Sequence, residues 1–372
     1  MFYKHSNNYT VESVTGGHPD KICDQISDAI LDAYLRLDPK SRVAIETFGG
    51  HGRLVIGGEV TSKGKVDYVQ IARNVYKNIG YTDKLEISAH IVTQSPDIAQ
   101  GVDTGGAGDQ GIMYGYATNE TPEFLPKGMV LAHKLAKRLE EMRKSGKIKW
   151  LRPDGKTQVT YANGKLHTVL ISTQHSKNIK PEEIKKEITK KIILPLLSKE
   201  EKARVNPVRG RGSLRALAAS NGIEILVNPT GKFTAGGFEA DTGLTGRKIM
   251  VDTYGTLIPH GGGCFSGKDA TKVDRSGAYM ARFVAKNLVA NGYGKEALVS
   301  VAYAIGMAEP LMIEAINEKG EDLSKIVRQN FDFKPLAIIK KLDLQKPIYE
   351  QTATYGHFGK KNLPWEKIEK MK

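Results

Sequence analysis

"HGGGCFSGKDATKVDRS", His260 to Ser276, brings glycines, two lysines, two aspartates and an arginine into one short stretch. Glycines let backbone N–H groups approach an oxyanion, lysines supply positive charge, and carboxylates hold a divalent ion. That combination suits a phosphate chain and its metal. From Gly262 the letters nearly fit the P-loop pattern GxxxxGK[ST], but Asp269 stands where the metal-binding hydroxyl belongs. Ile258-Pro259-His260 also separates the glycines from any preceding strand. A P-loop fold is therefore excluded, while the phosphate chemistry stands. The continuation "TKVDRSGAYMARFVAKNLVANG" reads as a helix, with Gly277, Ala281, Val284 and Leu288 on one face and Asn291-Gly292 as its stop. Asp274 falls in its first turn, a favoured place for a carboxylate, and Lys268 and Lys272 lie near its start.

A second helix start lies in "GGHPDKICDQISDAILDAYL", Gly16 to Leu35, with Pro19 as its first residue. Ile22, Ile26, Ala29, Ile30 and Ala33 form the buried face. Asp20, Asp24, Asp28 and Asp32 step by four along another face, and Asp28 and Asp32 are expected to be solvated. Asp20 differs, because His18 and Lys21 flank it after a Gly-Gly turn. His, Asp and Lys at one helix start suit phosphate oxygens and Mg²⁺.

The rest of the chain mixes strands and helices. "RVAIETF" and "RLVIGGEVTS" read as strands joined through "GGHG". "VDYVQIARNVYKNIG" reads as a helix closed by Gly80, followed by the strand "KLEISAHIVTQ". A helix runs from Pro126 to Gly146. "KTQVTYANGKLHTVLIST" is a hairpin turned on Asn163-Gly164. "IKPEEIKKEITKKIILPLL" is a helix with Ile184, Ile188, Ile192 and Leu196 as its apolar stripe, and "IEILVN" is a strand. "KIMVDTY" opens a third group, which ends in two short helices. "LRPDGKTQV" reads as a turn before a strand, with Asp154 and Lys156 in it. "NPTGKFTAGGFEADTGLTGRKIMVDTYG" is cationic and glycine-rich. "QSPDIAQGVDTGGAGDQG", Gln94 to Gly111, has the composition of a lid. Three strand-helix-strand groups hint at a threefold repeat, though the letters themselves do not repeat. The class is α+β.

The chain has 372 residues, 40% hydrophobic and 26% charged, which is room for several domains with real cores. No apolar run approaches a membrane span and the N-terminus has no apolar leader, so a cytoplasmic protein with no membrane partner is expected. Two cysteines, Cys23 and Cys264, make neither a disulfide framework nor a zinc site. The net charge of +14 admits nucleic acid or anionic substrates. The charges concentrate in Gly-rich loops without interleaved aromatics, which favours substrates over nucleic acid. GxSxG is absent, and no covalent nucleophile is indicated.

Taken together, "GHPDKICDQISDA", "GAGDQG", "GYATNE", "LRPDGKTQV", "STQHS", "NPTGKF", "GLTGRKIMVDTYG", "HGGGCFSGKDATKVDRSGAY" and "YGHFG" resemble the S-adenosylmethionine synthetase family, in order and over nearly the whole chain. The resemblance implies an enzyme that joins ATP and L-methionine by sulfur attack on C5′, then cleaves the released triphosphate to diphosphate and phosphate. It implies His18 at the departing oxygen, with Lys156, Arg247, Lys248 and Lys268 on the phosphates. Asp20 and Asp274 match Mg²⁺ ligands, two ions per site, and Glu46 matches a K⁺ ligand. Asp154, Lys232, Phe233, Asp241, Asp109 and Cys264 match substrate and nucleotide contacts. Glu59, Gln94, Asp241 and Lys272 match positions near methionine.

The resemblance also implies three similar α+β domains around a pseudo-threefold axis. They are discontinuous: 1–16 with 120–236, 17–103 with 237–276, and 104–119 with 277–372. A homodimer or homotetramer with sites at the dimer interface is implied as well. Lys202 to Ile223 departs most from the family pattern. A phosphotransferase and a basic nucleic-acid-binding protein are the alternatives.

Overall fold

The computed structural model describes residues 8–93, 105–205 and 222–371. In chain order its strands are β1 (Tyr9–Val14), β2 (Arg42–Gly50), β3 (Arg53–Thr61), β4 (Glu86–Val92), β5 (Gly111–Thr118) and β6 (Leu151–Ala162). There follow β7 (Lys165–His175), β8 (Glu224–Val227), β9 (Gly243–Leu244), β10 (Glu296–Tyr303) and β11 (Met312–Asn317). The described helices are α1 (Pro19–Leu37), α2 (Tyr68–Ile79), α3 (Lys127–Lys144), α4 (Pro181–Ile188) and α5 (Lys199–Ala203). The later ones are α6 (Ile249–Asp252), α7 (Val273–Ala290), α8 (Ser324–Asn330) and α9 (Pro335–Lys341).

The strands form three sheets, ordered β1-β6-β7-β8, β4-β3-β2-β9 and β11-β10-β5. A long helix followed by an antiparallel hairpin recurs three times: α1 with β2–β3, α3 with β6–β7, and α7 with β10–β11. Each helix packs on its own hairpin's sheet. In the first two units a further helix carries the chain to a strand parallel to the hairpin's second strand, β4 beside β3 and β8 beside β7. The repeat is therefore one of topology, carried by hydrophobic spacing rather than by recurring letters. The α+β class read from the sequence is the class that forms.

Local signals place these elements. Two-residue hairpin loops of type I′ need positive φ at both positions, and His51-Gly52 (49°, 79°) and Asn163-Gly164 (50°, 73°) supply it. Gly80 ends α2 in the left-handed region at φ 116°. Ile22, Ile26 and Ile30 of α1 are fully buried and join one continuous core with the sheets of β2 and β10. The β6–β7 sheet has its own core, built on Met129, Leu135, Val159, Val169 and Ile188.

Four expectations are corrected. Asp28 and Asp32 are buried rather than solvated, because internal partners replace water: Arg275 for Asp28, and the amides of Tyr349 and Glu350 for Asp32. "LRPDGKTQV" is the start of β6, with an irregularity between Leu151 and Gly155, and not a turn. "KIMVDTY" contains the short helix α6 rather than a strand. The helix expected to run to Leu197 stops at Ile188, then becomes a π-turn over Thr189–Ile193 and a 3₁₀ turn over Leu194–Leu196. Pro195 cannot donate into a helical ladder, and the changed register buries Ile193 and Leu197 and leaves Leu196 half-buried. The lid-like stretch 94–104 and residues 206–221 of the divergent segment lie outside the described residues.

Candidate functional site

Three segments converge on the N-terminus of α1. Gly17 sits against the backbone of Pro153, where an added Cβ would meet its carbonyl carbon at 2.4 Å. Gly243 sits against Pro19 in the same way, at 2.2 Å. Only glycine permits either approach. His18 is the N-cap, and its Nδ1 accepts from the Asp20 amide at 3.2 Å. That bond leaves the proton of the neutral ring on Nε2. Burial and the ammonium groups of Lys248 and Lys156 push the His18 pKa down to about 3, so at neutral pH the ring is an uncharged donor.

Asp20 lies behind it. Its Oδ1 accepts from the Leu244 amide at 3.0 Å, and its Oδ2 holds Lys248 Nζ at 2.5 Å. Arg247 Nε lies 3.7 Å from Oδ1, with its side chain largely exposed. Burial would raise the Asp20 pKa, but the Lys248 ammonium and the Leu244 amide hold it below the usual carboxylate range. The carboxylate is ionised and faces two cations.

A second cation–carboxylate pair stands on the glycine-rich loop. Lys268 Nζ lies 2.7 Å from Asp274 Oδ2 in the first turn of α7. A Cβ on Gly263 would fall 2.0 Å from Asp274 Oδ1. The loop is anchored on β2, where Ile45 N donates to Gly267 O at 3.0 Å and Val43 N donates to Asp269 Oδ2 at 2.7 Å. Asp269, the residue that spoils a P-loop reading, is thus a structural clamp and also pairs with Lys272 at 2.5 Å. Burial opposes the charge on Lys268, yet the carboxylates of Asp274 and Glu46 leave its pKa raised. Burial keeps the Cys264 thiol up, so it carries no thiolate.

The two pairs meet through one contact. A Cβ on Gly246 would lie 2.3 Å from Cys264 Cβ, so the Lys248 loop touches the Lys268 loop. Asp24 fixes that junction by accepting from the Gly246 amide at 2.9 Å. On the other side of α1's start, Asp154 of β6 is buried and its Oδ2 accepts from Gly237 N at 2.9 Å. Its Oδ1 has no partner among the described residues, and burial pushes its pKa up to about 6. Lys156 is exposed, and its charge reaches both Asp154 and His18. Phe233 is half-buried and exchanges hydrogen bonds with His175.

The structure thus gathers His18, Asp20, Arg247 and Lys248 at one point, Cys264, Lys268 and Asp274 at the adjoining one, and Asp154 with Lys156 beside the first. Glu46 is exposed on β2 next to the glycine-rich loop. Lys232 and Asp241 are exposed on the loop after β8, and Asp109 is exposed just before β5. Glu59 is half-buried on β3. No hydrogen bond or ion pair among the described residues ties Glu59, Asp109 or Asp241 to His18, Asp20 or Asp274. Gln94 lies outside the described residues.

Lys21, expected beside His18 and Asp20 to meet phosphate oxygens, is instead turned inward and supports the surface from below, because two buried carboxyls claim its ammonium. Lys21 is fully buried between Asp24, at 3.0 Å, and Asp252. One ammonium faces two carboxyls, so burial and mutual repulsion raise the Asp24 pKa to about 7. Arg275 binds Asp28 through both terminal nitrogens and donates to the carbonyls of Phe265 and Lys268 at 2.9 and 3.1 Å. It therefore holds the loop that carries Lys268. The available signal was the repeat of aspartates on a helix with an apolar flank, because buried acids at that spacing require buried cations elsewhere.

The chain is similar to known proteins over nearly its whole length. Residues 6–100, 104–233 and 235–367 match family models described as the N-terminal, central and C-terminal domains of S-adenosylmethionine synthetase. The chain is 47% identical to the S-adenosylmethionine synthase of Petrotoga mobilis, covering 98% of this chain and 97% of that protein. It is 48% identical to that of Mesoplasma florum, with 98% of each covered. It is 49% identical to that of Mycoplasma capricolum, with 98% of this chain and 95% of the relative covered.

Proposed function

We propose that this chain joins ATP to L-methionine, because it belongs to the S-adenosylmethionine synthetase family. It is a methionine adenosyltransferase: the methionine sulfur attacks C5′ of ATP, the triphosphate leaves, and hydrolysis gives diphosphate and phosphate. The observation that carries the reading is the junction of two cation–carboxylate pairs, Asp20 with Lys248 and Asp274 with Lys268, across the Gly246–Cys264 contact.

A thioether sulfur needs no general base, so the barrier lies in the charge that grows on the leaving triphosphate. Lys248, Lys268, Arg247 and Lys156 are the cations proposed to meet that charge. His18, neutral and protonated on Nε2, donates a hydrogen bond to the departing oxygen without a cost for protonation. Asp154 Oδ1, buried without a partner, offers an acceptor to a substrate hydroxyl or amine. Half-buried Phe233, next to exposed Lys232, is the candidate partner for the purine.

Asp20 and Asp274 are the residues that would hold two Mg²⁺ ions. The donor set fits: each pair supplies one hard carboxylate, and the described residues contain no cluster of three or more metal-ligating side chains. A single carboxylate plus substrate phosphates is how Mg²⁺ is commonly bound. Held there, the ions would neutralise phosphate charge, leaving Lys248 and Lys268 as the cations available to phosphate oxygens. Glu46 is the candidate K⁺ ligand. Cys264, Asp109 and Asp241 are assigned to the nucleotide side, and Glu59, Gln94, Asp241 and Lys272 to methionine.

The assembly proposed is a homodimer, alone or paired into a tetramer, with sites shared between subunits. Phe48 of β2 and Val55 of β3 are directly cross-strand and exposed, an apolar face that a second copy would cover. The compartment proposed is the cytoplasm; separately, no helix among the described residues is long and apolar enough to cross a membrane.

The test incubates the protein with ATP, methionine, Mg²⁺ and K⁺ and quantifies products by chromatography. Equimolar S-adenosylmethionine, diphosphate and phosphate are expected. ATP consumption without a sulfonium product would instead support a phosphotransferase.

A further inference from the structure

We propose that the cleft between α3 and the segment around Tyr355–Lys361 is a second anion site, built for a polyvalent phosphate. Its cavity is about 560 Å³, within the range of small-molecule sites. Lys134 and Lys137 of α3 face Lys360 and Lys361 across it. Among the described residues Glu123 is the one carboxylate in its wall, and Lys134 engages it at 2.8 Å. His133, also in the wall, is buried and held neutral, its pKa pushed down to about 3. Three lysines are therefore left without a carboxylate partner among the described residues.

Lys360 is the informative one. Its Nζ donates to the carbonyls of Gln351 and Thr354 at 2.6 and 2.7 Å and makes no ion pair with a described residue. Two of its three protons are used, and the third remains available. Burial and the Lys21 ammonium, joined by Lys137 and opposed by the Asp252 carboxyl, push its pKa down to about 7. A partly buried ammonium without a direct ion pair is left incompletely compensated, and a bound anion would complete it. Lysines meet phosphate as point charges at the end of flexible stems, so four of them converging on one cavity favour a multiply charged phosphate over a carboxylate.

The site is separate from the one described above: none of its lining residues belongs to the His18, Asp20 or Asp274 clusters. It is not remote, however. Gly16 N donates to Tyr355 Oη at 3.3 Å, so the cavity wall touches the turn that leads into His18.

The inference does not depend on the proposed activity, and its test reads Lys360 directly. The full chain is treated with a limiting amine-acylating reagent in EDTA, and modification of Lys360 is followed by mass spectrometry. Inorganic tripolyphosphate is the probe, with sodium chloride at equal ionic strength as the control. At roughly ten times its Kd the probe should slow modification of Lys360 about tenfold, as expected for one-site occupancy. Lys134 and Lys137 are exposed, so the double variant Lys134→Gln/Lys137→Gln folds and should lose most of that protection while Lys268 responds as before.

Glucose 6-phosphate run in parallel separates the sources. Protection by tripolyphosphate alone supports an inorganic chain, and protection by both supports phosphorylated metabolites. Equal labelling of Lys360 with and without both probes would overturn the site. So would equal protection by chloride, or undiminished protection in the double variant.

Discussion

Asp28 Oδ1 and Oδ2 accept from Arg275 Nη1 and Nη2 at 2.7 and 2.9 Å, and neither side chain is exposed. This pair bolts α1 to α7. Asp28 Oδ1 also takes the Gly267 amide, and Arg275 lies over the Tyr349 ring at 4.2 Å from its centroid. Removing one partner leaves the other charge buried. Asp28→Ala is expected to cost about 3–5 kcal/mol in a denaturant titration. A loss under 1 kcal/mol would mean that water reaches Arg275 and that the loop is held by something else.

Asp20→Asn keeps an oxygen for the Leu244 amide and removes the charge between Lys248 and the candidate metal. Turnover should fall about 100-fold or more at saturating Mg²⁺, the scale of losing a preorganised electrostatic group, while the melting temperature changes little. Unchanged kcat would take Asp20 out of the chemistry.

His18→Asn retains a good N-cap and discards the Nε2 donor. Formation of S-adenosylmethionine should slow far more than hydrolysis of supplied tripolyphosphate. A matched loss of both activities would show His18 to be a structural cap only.

Gly263→Ala changes no charge. It places a methyl group 2.1 Å from the carboxyl carbon of Asp274, and either the carboxylate or the loop must move. The Mg²⁺ concentration for half-maximal activity should rise about tenfold, in line with disturbed ligand placement. Normal Mg²⁺ dependence with normal kcat would count against Asp274 as a metal ligand.

His133 is buried neutral, with its Nδ1 against Ser13 Oγ at 2.8 Å and its pKa near 3. In the unfolded chain it takes a proton below about 6.5. Its folded-state contribution is therefore complete above 6.5 and is lost as pH falls toward 3. Relative to His133→Gln, the wild type should lose about 2 kcal/mol of stability between pH 7 and pH 5. Chemical unfolding of both proteins at the two pH values measures this. A flat difference would place the ring in contact with water.

Much of the site was readable from local letters. Gly-rich loops before helix starts, Pro19 at the first position of α1 and Asp274 in the first turn of α7 specify short-range geometry, which spacing encodes. Hairpin turns at Asn163-Gly164 and at His51-Gly52 were legible for the same reason, because positive φ selects few residues. What spacing could not supply was the partner. Asp28 looked solvated because its neighbours in sequence are acids, and Arg275, its counter-charge, lies 247 positions away. Asp269 looked like a spoiled P-loop residue until β2 came to rest against it.

Sequence alone determined most of the element types and the charge of the glycine-rich loops, since these follow from residue chemistry and short spacing. The tertiary structure decided which acids are structural and which face the site. It also set the neutral state of His18 and the junction of the two loops at Gly246 and Cys264. Burial and pairing are properties of distant segments brought together, and they set a side chain's charge and exposure as much as its own chemistry does.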